Sequence, residues 1–259
     1  MNQGLILNLE QFNFLLFVMA ICAVVVFVAL YFVEAGYGKM ISPKWGPAIN
    51  NKVAWILMEC PVFLVLLYFW ANSQRQFEIV PLIFFLLFEL HYFQRSFIFP
   101  FLLKGNSKMP ITIMLMGVIF NTINGYMQGE WIFFLSPNNL YTTSWLTTPQ
   151  FIVGTILFFV GFTINIHSDY VIRHLRKPGD TRHYLPKEGM YRYVTSANYF
   201  GEIVEWTGFA ILTWSISGAM FAIWTCANLV PRANSIFKKY EKEFGDEFYE
   251  RPLKRIFPF

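Results

Sequence analysis

The stretch FNFLLFVMAICAVVVFVALYFV, Phe12 to Val33, decides the fold. Its 22 residues carry no charge. At about 1.5 Å of rise per residue, a helix of that length covers roughly the 30 Å hydrocarbon core of a bilayer. The run is too long for a signal-peptide core and has no basic segment before it, so it reads as a retained span. The rest of the chain agrees. Of 259 residues, 56% are apolar, 20% aromatic and only 14% charged, which is the balance of an integral membrane protein and not of a soluble domain. Further apolar stretches run from about Val53 to Trp70, Ile79 to Leu103, Ile111 to Met127, Phe151 to Ile172, Tyr199 to Ile216 and Ala219 to Val230. The expectation is an all-α polytopic membrane protein, a seven-transmembrane helix bundle forming one membrane-embedded domain over 1–259. The last two stretches are short and divided only by "SISG", so one long bent helix is the alternative there.

Charge gives the orientation, because basic residues near short loops collect on the cytoplasmic side. Of the 20 basic residues, 18 lie in the first, third and fifth connections and in the segment from Arg232 onward. Only Arg75 lies opposite, and Arg95 falls inside a span. That pattern places the N-terminus outside and the C-terminus in the cytoplasm. The membrane is the endoplasmic reticulum in a eukaryote or the inner membrane in a bacterium. The net charge of +4 is then a topology signal, and nothing supports a nucleic-acid partner. Cys22, Cys60 and Cys226 sit apart inside apolar stretches, so they form no disulfide framework or clustered metal site and are assigned to packing.

Ionisable groups inside spans cost about 2.5 to 3.5 kcal/mol each on insertion scales, so each is a functional candidate. They are Glu59, Glu89, His91, Arg95, His167, Asp169, Glu202 and Glu205. Apart from Glu89 and His91, which lie nearer the middle, they cluster towards the cytoplasmic boundary and describe a pocket open to one side. A transporter would place its polar groups at mid-depth. In NIHSDYVIRHLRKPGD, Asn165 to Asp180, Asn165 and Asp169 share one helix face that Arg173 and Arg176 continue. Asn198, Glu202 and Glu205 repeat at i, i+4 and i+7, and Tyr92 and Arg95 at i and i+3. His167 and His174 read as packing or helix-end residues, no HExxH or CxxC pattern is present, and no metal is expected. Arginines, carboxylates and aromatic walls together suit an anionic, sugar-bearing cofactor, with arginine forks on phosphates and carboxylates on ribose hydroxyls. No GxGxxG follows a strand, so the cofactor has to bind in the membrane crevice itself.

The chain resembles the steroid 5α-reductases over nearly its whole length. The matching runs are GYGK (Gly36 to Lys39), MECP around Glu59, HYFQRSFIFPF (His91 to Phe101), NGYMQG (Asn124 to Gly129), INIHSDYVIRHLRKPGD (Ile164 to Asp180) and YVTSANYFGEIVEWTGFA (Tyr193 to Ala210). The segment from Arg232 onward is also similar to the ends of sterol reductases, enoyl-CoA reductases and isoprenylcysteine methyltransferases. The resemblance implies a seven-helix bundle that reduces the 4,5 double bond of 3-oxo-Δ4-steroids with NADPH. It implies cofactor contacts at Tyr37, Lys39, Arg95, Asn165, Asp169, Arg176, Asn198, Glu202, Arg232 and Tyr240. It makes Glu59 and Tyr92 the catalytic pair at the steroid 3-keto oxygen, with Trp55, Phe120 and Trp206 lining the steroid slot. Met58 stands where many members carry Gln, and ANSIF where vertebrate members carry a His-rich stretch. The partners expected are a steroid and the lipid bilayer, with the chain a monomer. A membrane reductase for 2-enoyl-CoA or sterol double bonds, an S-adenosylmethionine-dependent methyltransferase and a non-enzymatic sterol-binding protein stay as alternatives.

Overall fold

The computed structural model describes residues 4–33, 45–176, 180 and 182–258. Among them, seven long helices follow one another: α1 (Leu9–Phe32), α2 (Asn51–Ala71), α3 (Ile79–Leu102), α4 (Ile111–Glu130), α5 (Pro149–His174), α6 (Ala197–Thr213) and α7 (Ile216–Phe244). A single turn, α8 (Asp246–Tyr249), completes the set. By length and apolar composition α1, α2, α3 and α5 can cross a membrane. The other three long helices are shorter or more polar: α6 has 17 residues, and α4 carries Asn121, Asn124 and Gln128. Phe14, Phe17, Val24 and Val25 of α1, and Ile152, Val153 and Ile156 of α5, are exposed, as lipid-facing side chains would be.

Local chemistry sets the helix ends. Asn8 and Gln11 form a reciprocal capping box at α1, and Thr148 accepts the Phe151 N–H ahead of Pro149 at α5. The single bent helix weighed for the last two stretches does not form. Trp214 adopts a left-handed conformation, φ 47°, and the Ser215 side chain accepts the Gly218 N–H, so α6 stops at Thr213 and α7 starts afresh. α7 also runs past Val230, through Pro231, to Phe244. The hydropathy falls there but the helix does not, because Phe237, Tyr240 and Phe244 pack on Leu185, Phe248 and Leu253.

Two three-residue strands, β1 (Ala48–Asn50) and β2 (Lys108–Pro110), pair antiparallel with Ile49 opposite Met109, a small addition to the all-α expectation. They join the first and third connections. Lys104 donates to the Arg173 carbonyl at 3.0 Å, which brings the end of α5 to the same place. In the connection after α5, Asp180 accepts from Arg182 and from the Tyr184 hydroxyl, which hold its carboxyl below the ordinary range. The segment after α7 closes over that connection: Thr195 N–H donates to Lys254 O at 2.9 Å and Lys254 N–H to Tyr193 O at 2.8 Å. His174, its ring against Tyr170, ends α5, and the His167 ring fills the space that a Cβ at Gly189 would take. Cys22 is exposed on α1, not buried in packing as its assignment implied; Cys60 and Cys226 are half-buried.

Glycines bring two helix pairs into backbone contact. A Cβ at Gly161 would lie 2.2 Å from the Glu205 nitrogen, and one at Gly154 would lie 2.3 Å from the Leu212 nitrogen. Gly201 and Gly208 face back onto Asn165 and Phe158, so α5 and α6 run antiparallel along one seam. On the other side, Gly117 meets Met58, Gly125 the Val62 carbonyl and Gly129 Phe69, which packs α4 parallel to α2. Between the pairs lies an aromatic core of Phe88, Phe158, Trp206, Phe209 and Phe221. Gly161→Val forces the seam apart against backbone atoms that cannot yield. The expected cost is at least the ~1–3 kcal/mol of ordinary overpacking, read as a lowered thermal midpoint in detergent. An unchanged midpoint would show that the seam does not hold the pair.

Candidate functional site

Arg95 is 7% exposed, so its charge has to be neutralised locally. It sits in a π-helical turn, Gln94–Ile98, within α3. The Phe99 N–H reaches back five residues to the Gln94 carbonyl, and Pro100 offers no N–H to restore the α-helical pattern. Its Nη1 donates to Asp169 Oδ2 at 2.7 Å and its Nη2 to Glu202 Oε2 at 3.5 Å. The guanidinium lies over the rings of Phe99, 4.6 Å away, and Trp55, 5.4 Å away. Asn198 Nδ2 donates to the other Asp169 oxygen at 3.4 Å, and Asn165 Nδ2 to the Asn198 backbone carbonyl at 3.0 Å. The α5–α6 seam makes this meeting obligatory, since Gly201 packs directly on Asn165.

Beside the cluster is a cavity of about 230 Å³, lined by Asp169, Arg173, Tyr191, Asn198, Tyr199 and Tyr240 among others. Arg232 stands over the Tyr199 ring at 5.4 Å and donates to Asn228. Arg176 is exposed just beyond α5, one turn on from Arg173. Tyr37 and Lys39 lie outside the described residues. Buried polar atoms with no hydrogen-bond partner among the described residues flank the cluster: Arg173 Nη1 and the hydroxyls of Ser96, Ser168 and Ser196. Asp169, Arg173 and Asn198 on the cavity wall, with the Arg95 and Glu202 charges beside them, can hold a ligand that carries both anionic oxygens and hydroxyls.

Glu59 of α2 and Tyr92 of α3 are both held by α4. Asn121 Nδ2 donates to Glu59 Oε2 at 3.1 Å, and Asn124 Nδ2 to the Tyr92 hydroxyl oxygen at 3.3 Å. Glu59 interacts electrostatically with Arg95 and Glu202, and Tyr92 with Glu59, so the pair adjoins the arginine cluster. Tyr92 stacks on Trp206, with ring centroids 5.7 Å apart, and Trp206 packs on Phe221 at 4.4 Å. Phe120 stacks on Trp224 at 4.6 Å and touches Phe221, extending the same wall. Trp55 stands apart from them, edge-on to Phe99 on the arginine side. His91 pairs with Glu205 at 2.7 Å, completely buried beside Trp206. Glu89 is buried, with neither oxygen bonded among the described residues.

Comparison with known proteins bears on this arrangement. Residues 107–259 match the profile of the family described as 3-oxo-5-alpha-steroid 4-dehydrogenase. The Bos taurus protein named 3-oxo-5-alpha-steroid 4-dehydrogenase 1 is 39% identical over 240 residues, covering 91% of each chain. This chain belongs to the 3-oxo-5-alpha-steroid 4-dehydrogenase family. As a steroid 5α-reductase family member it is an oxidoreductase. The Homo sapiens 3-oxo-5-alpha-steroid 4-dehydrogenase 1 is 40% identical over 225 residues, covering 86% of this chain and 85% of its own. Steroid 5-alpha-reductase DET2 of Gossypium hirsutum is 34% identical over 252 residues, covering 96% of each.

Several residues of the site escape a search for charged groups. Tyr191, Tyr199 and Phe99 line the cavity, and Asn121, Asn124 and Gln128 are uncharged amides. Their signal was present as polar residues at i, i+3 and i+7 in a helix that is otherwise mostly apolar. In the reductase, Asp169→Ala strips a buried arginine of its closest partner. The expected loss is about 3–5 kcal/mol, measured by thermal unfolding. The triple variant Arg95→Met, Asp169→Leu, Glu202→Gln leaves neither an unpaired guanidinium nor an unpaired carboxylate and should recover most of that loss. A triple variant as unstable as Asp169→Ala would show that the cost is not electrostatic.

Proposed function

We propose that the chain reduces the 4,5 double bond of 3-oxo-Δ4-steroids with NADPH as reductant, within a bundle whose seven long helices all cross the membrane. The observation that carries this reading is the placing of Glu59 and Tyr92, from different helices, beside a buried cluster of arginine and carboxylates. The relatives' names supply the substrate class. Reduction of an enone builds negative charge on the 3-oxygen, and a donor fixed in advance at that oxygen lowers the barrier. Tyr92 donates its phenol proton to the 3-keto oxygen, and Glu59 holds the same oxygen or orients the phenol. Trp206, stacked on Tyr92, and Phe120 wall the apolar slot, with Trp55 at its arginine-facing edge.

The donor set fits a phosphorylated dinucleotide. Asp169, Glu202, Asn165 and Asn198 suit ribose and carboxamide groups, and Arg95, Arg176 and Arg232 suit phosphates, with Tyr240 on the cavity wall. Tyr37 and Lys39 join this set by resemblance alone. The unpaired hydroxyls of Ser96, Ser168 and Ser196 and the Arg173 guanidinium add donors that a polar ligand would satisfy. NADPH, when bound, supplies the hydride delivered to C5 of the steroid. The joining of the first, third and fifth connections at one end supports a cytoplasmic face there, given their basic residues.

Purified protein with testosterone or progesterone and NADPH should form the 5α-reduced product, and no turnover with either would overturn the reading. Tyr92→Phe should slow single-turnover reduction by about 10²–10³-fold while leaving NADPH affinity nearly unchanged, the usual loss for one oxyanion donor. Near-normal rates in both Tyr92→Phe and Glu59→Ala would remove the pair from the chemistry. NADPH should bind more tightly than NADH through its extra phosphate, each charge-assisted bond contributing about 1.5–3 kcal/mol. Equal affinity for the two nucleotides would count against the arginine assignments. Introduced cysteines near Asn138 and in the segment after Arg232 should label from opposite sides of the membrane; same-side labelling would refute the seven-span topology.

A further inference from the structure

A polar stripe on α4 lies behind the catalytic pair, and the chemistry above gives it no part. Asn121, Asn124 and Gln128 are 5%, 0% and 0% exposed, in a helix whose neighbouring positions are largely apolar. Amides are rarely placed at such depth without a directional task, because each must spend every donor and acceptor or stay unsatisfied.

Counting protons gives the ladder a direction. An amide nitrogen carries two protons, and a carbonyl can only accept. Gln128 Nε2 donates to the Ser217 backbone carbonyl at 3.0 Å and to Asn124 Oδ1 at 3.2 Å, so both its protons are used. The Ser217 carbonyl cannot donate, which fixes which way the Gln128 amide faces. Asn124 must then present its oxygen to Gln128 and its nitrogen to Tyr92, as observed at 3.3 Å. The phenol oxygen accepts that bond, so its own proton stays unspent. Turned the other way round, Asn124 would take the phenol proton on its carbonyl. Asn121 treats Glu59 in the same manner. Its nitrogen gives one proton to the Met58 carbonyl at 2.7 Å and the other to Glu59 Oε2 at 3.1 Å.

We infer that Asn124, locked by Gln128, is a positioning residue that aims the Tyr92 proton at the substrate oxygen, while Asn121 sets the Glu59 carboxyl from the same helix face. This inference rests on the assignment of Glu59 and Tyr92 made above. It makes the polarity of the ladder, and not merely its packing, part of the reaction.

The test is single-turnover reduction of testosterone by NADPH in the full-length protein, with NADPH affinity and thermal midpoint measured alongside. Asn124→Asp keeps the shape of the side chain and reverses its polarity. It should slow hydride transfer by about 10²-fold, as losing an oxyanion donor does, with NADPH affinity unchanged. Lowering the pH should restore much of that rate relative to the parent protein at the same pH, because a protonated aspartic acid can donate to the phenol as the amide does. Gln128→Glu cannot donate to Ser217 and should produce the same slow, acid-rescued enzyme if Asn124→Asp fails to fold. In a Tyr92→Phe background Asn124→Asp should have no further effect, since both act through one hydroxyl. An Asn124→Asp rate that stays parent-like even at high pH, where the introduced carboxyl ionises, or a loss that acid does not rescue, would overturn the ladder while a slow Tyr92→Phe left the pair standing. A near-normal Tyr92→Phe would overturn the pair and the ladder together.

Discussion

A guanidinium buried in an apolar bundle tolerates only one kind of surrounding, and much of this architecture follows from the place of Arg95. Its compensation comes from Asp169 on α5 and Glu202 on α6, which lie far apart in sequence. The two helices must therefore lie against each other at the depth of α3, and the glycines of their shared seam permit that approach. α3 is the hub. His91 reaches Glu205, Tyr92 reaches Asn124 and Arg95 reaches Asp169, so nearly consecutive residues tie it to three helices.

The polar groups of the interior fall into two adjoining regions, with Asn165 and Asn198 joining the charges of the first. Formal charges gather around Arg95 next to the cavity, while neutral amides stand behind Glu59 and Tyr92. Trp206 stacks on Tyr92 and packs edge-on against His91 of the His91–Glu205 pair, covering one side of the phenol. In such surroundings a hydrogen bond is electrostatically stronger than in water, and an unmatched one costs more.

Much of this was legible from residues alone. Long uncharged runs marked the helices, because a bilayer admits little else, and rare ionisable groups within them pointed to Arg95, Asp169 and Glu202. Hydropathy failed where a helix outlives its apolar stretch, as α7 does beyond Val230; it separated the last two stretches, but only the backbone of Trp214 decides between a true break and one bent helix. Asn121 and Asn124 stayed hidden for a different reason: an uncharged amide is cheap enough in a span to pass as packing. Its importance appears only when its partner on another helix is known. The glycines were silent too, since a missing side chain gives no sign of which backbone will fill its place.

The strap formed by Tyr193, Thr195 and Lys254 bears on the order in which the protein can mature. Tyr191 and Thr195 line the cavity, and their backbone is pinned by residues close to the end of the chain. Tyr240, which also lines the cavity, belongs to the last long helix. During synthesis the helices can insert one by one, but the crevice has no finished wall until Lys254 has cleared the ribosome. A nascent chain stalled short of that point would be embedded in the membrane with this wall of the crevice unbraced, so the crevice is completed after the helices and not along with them.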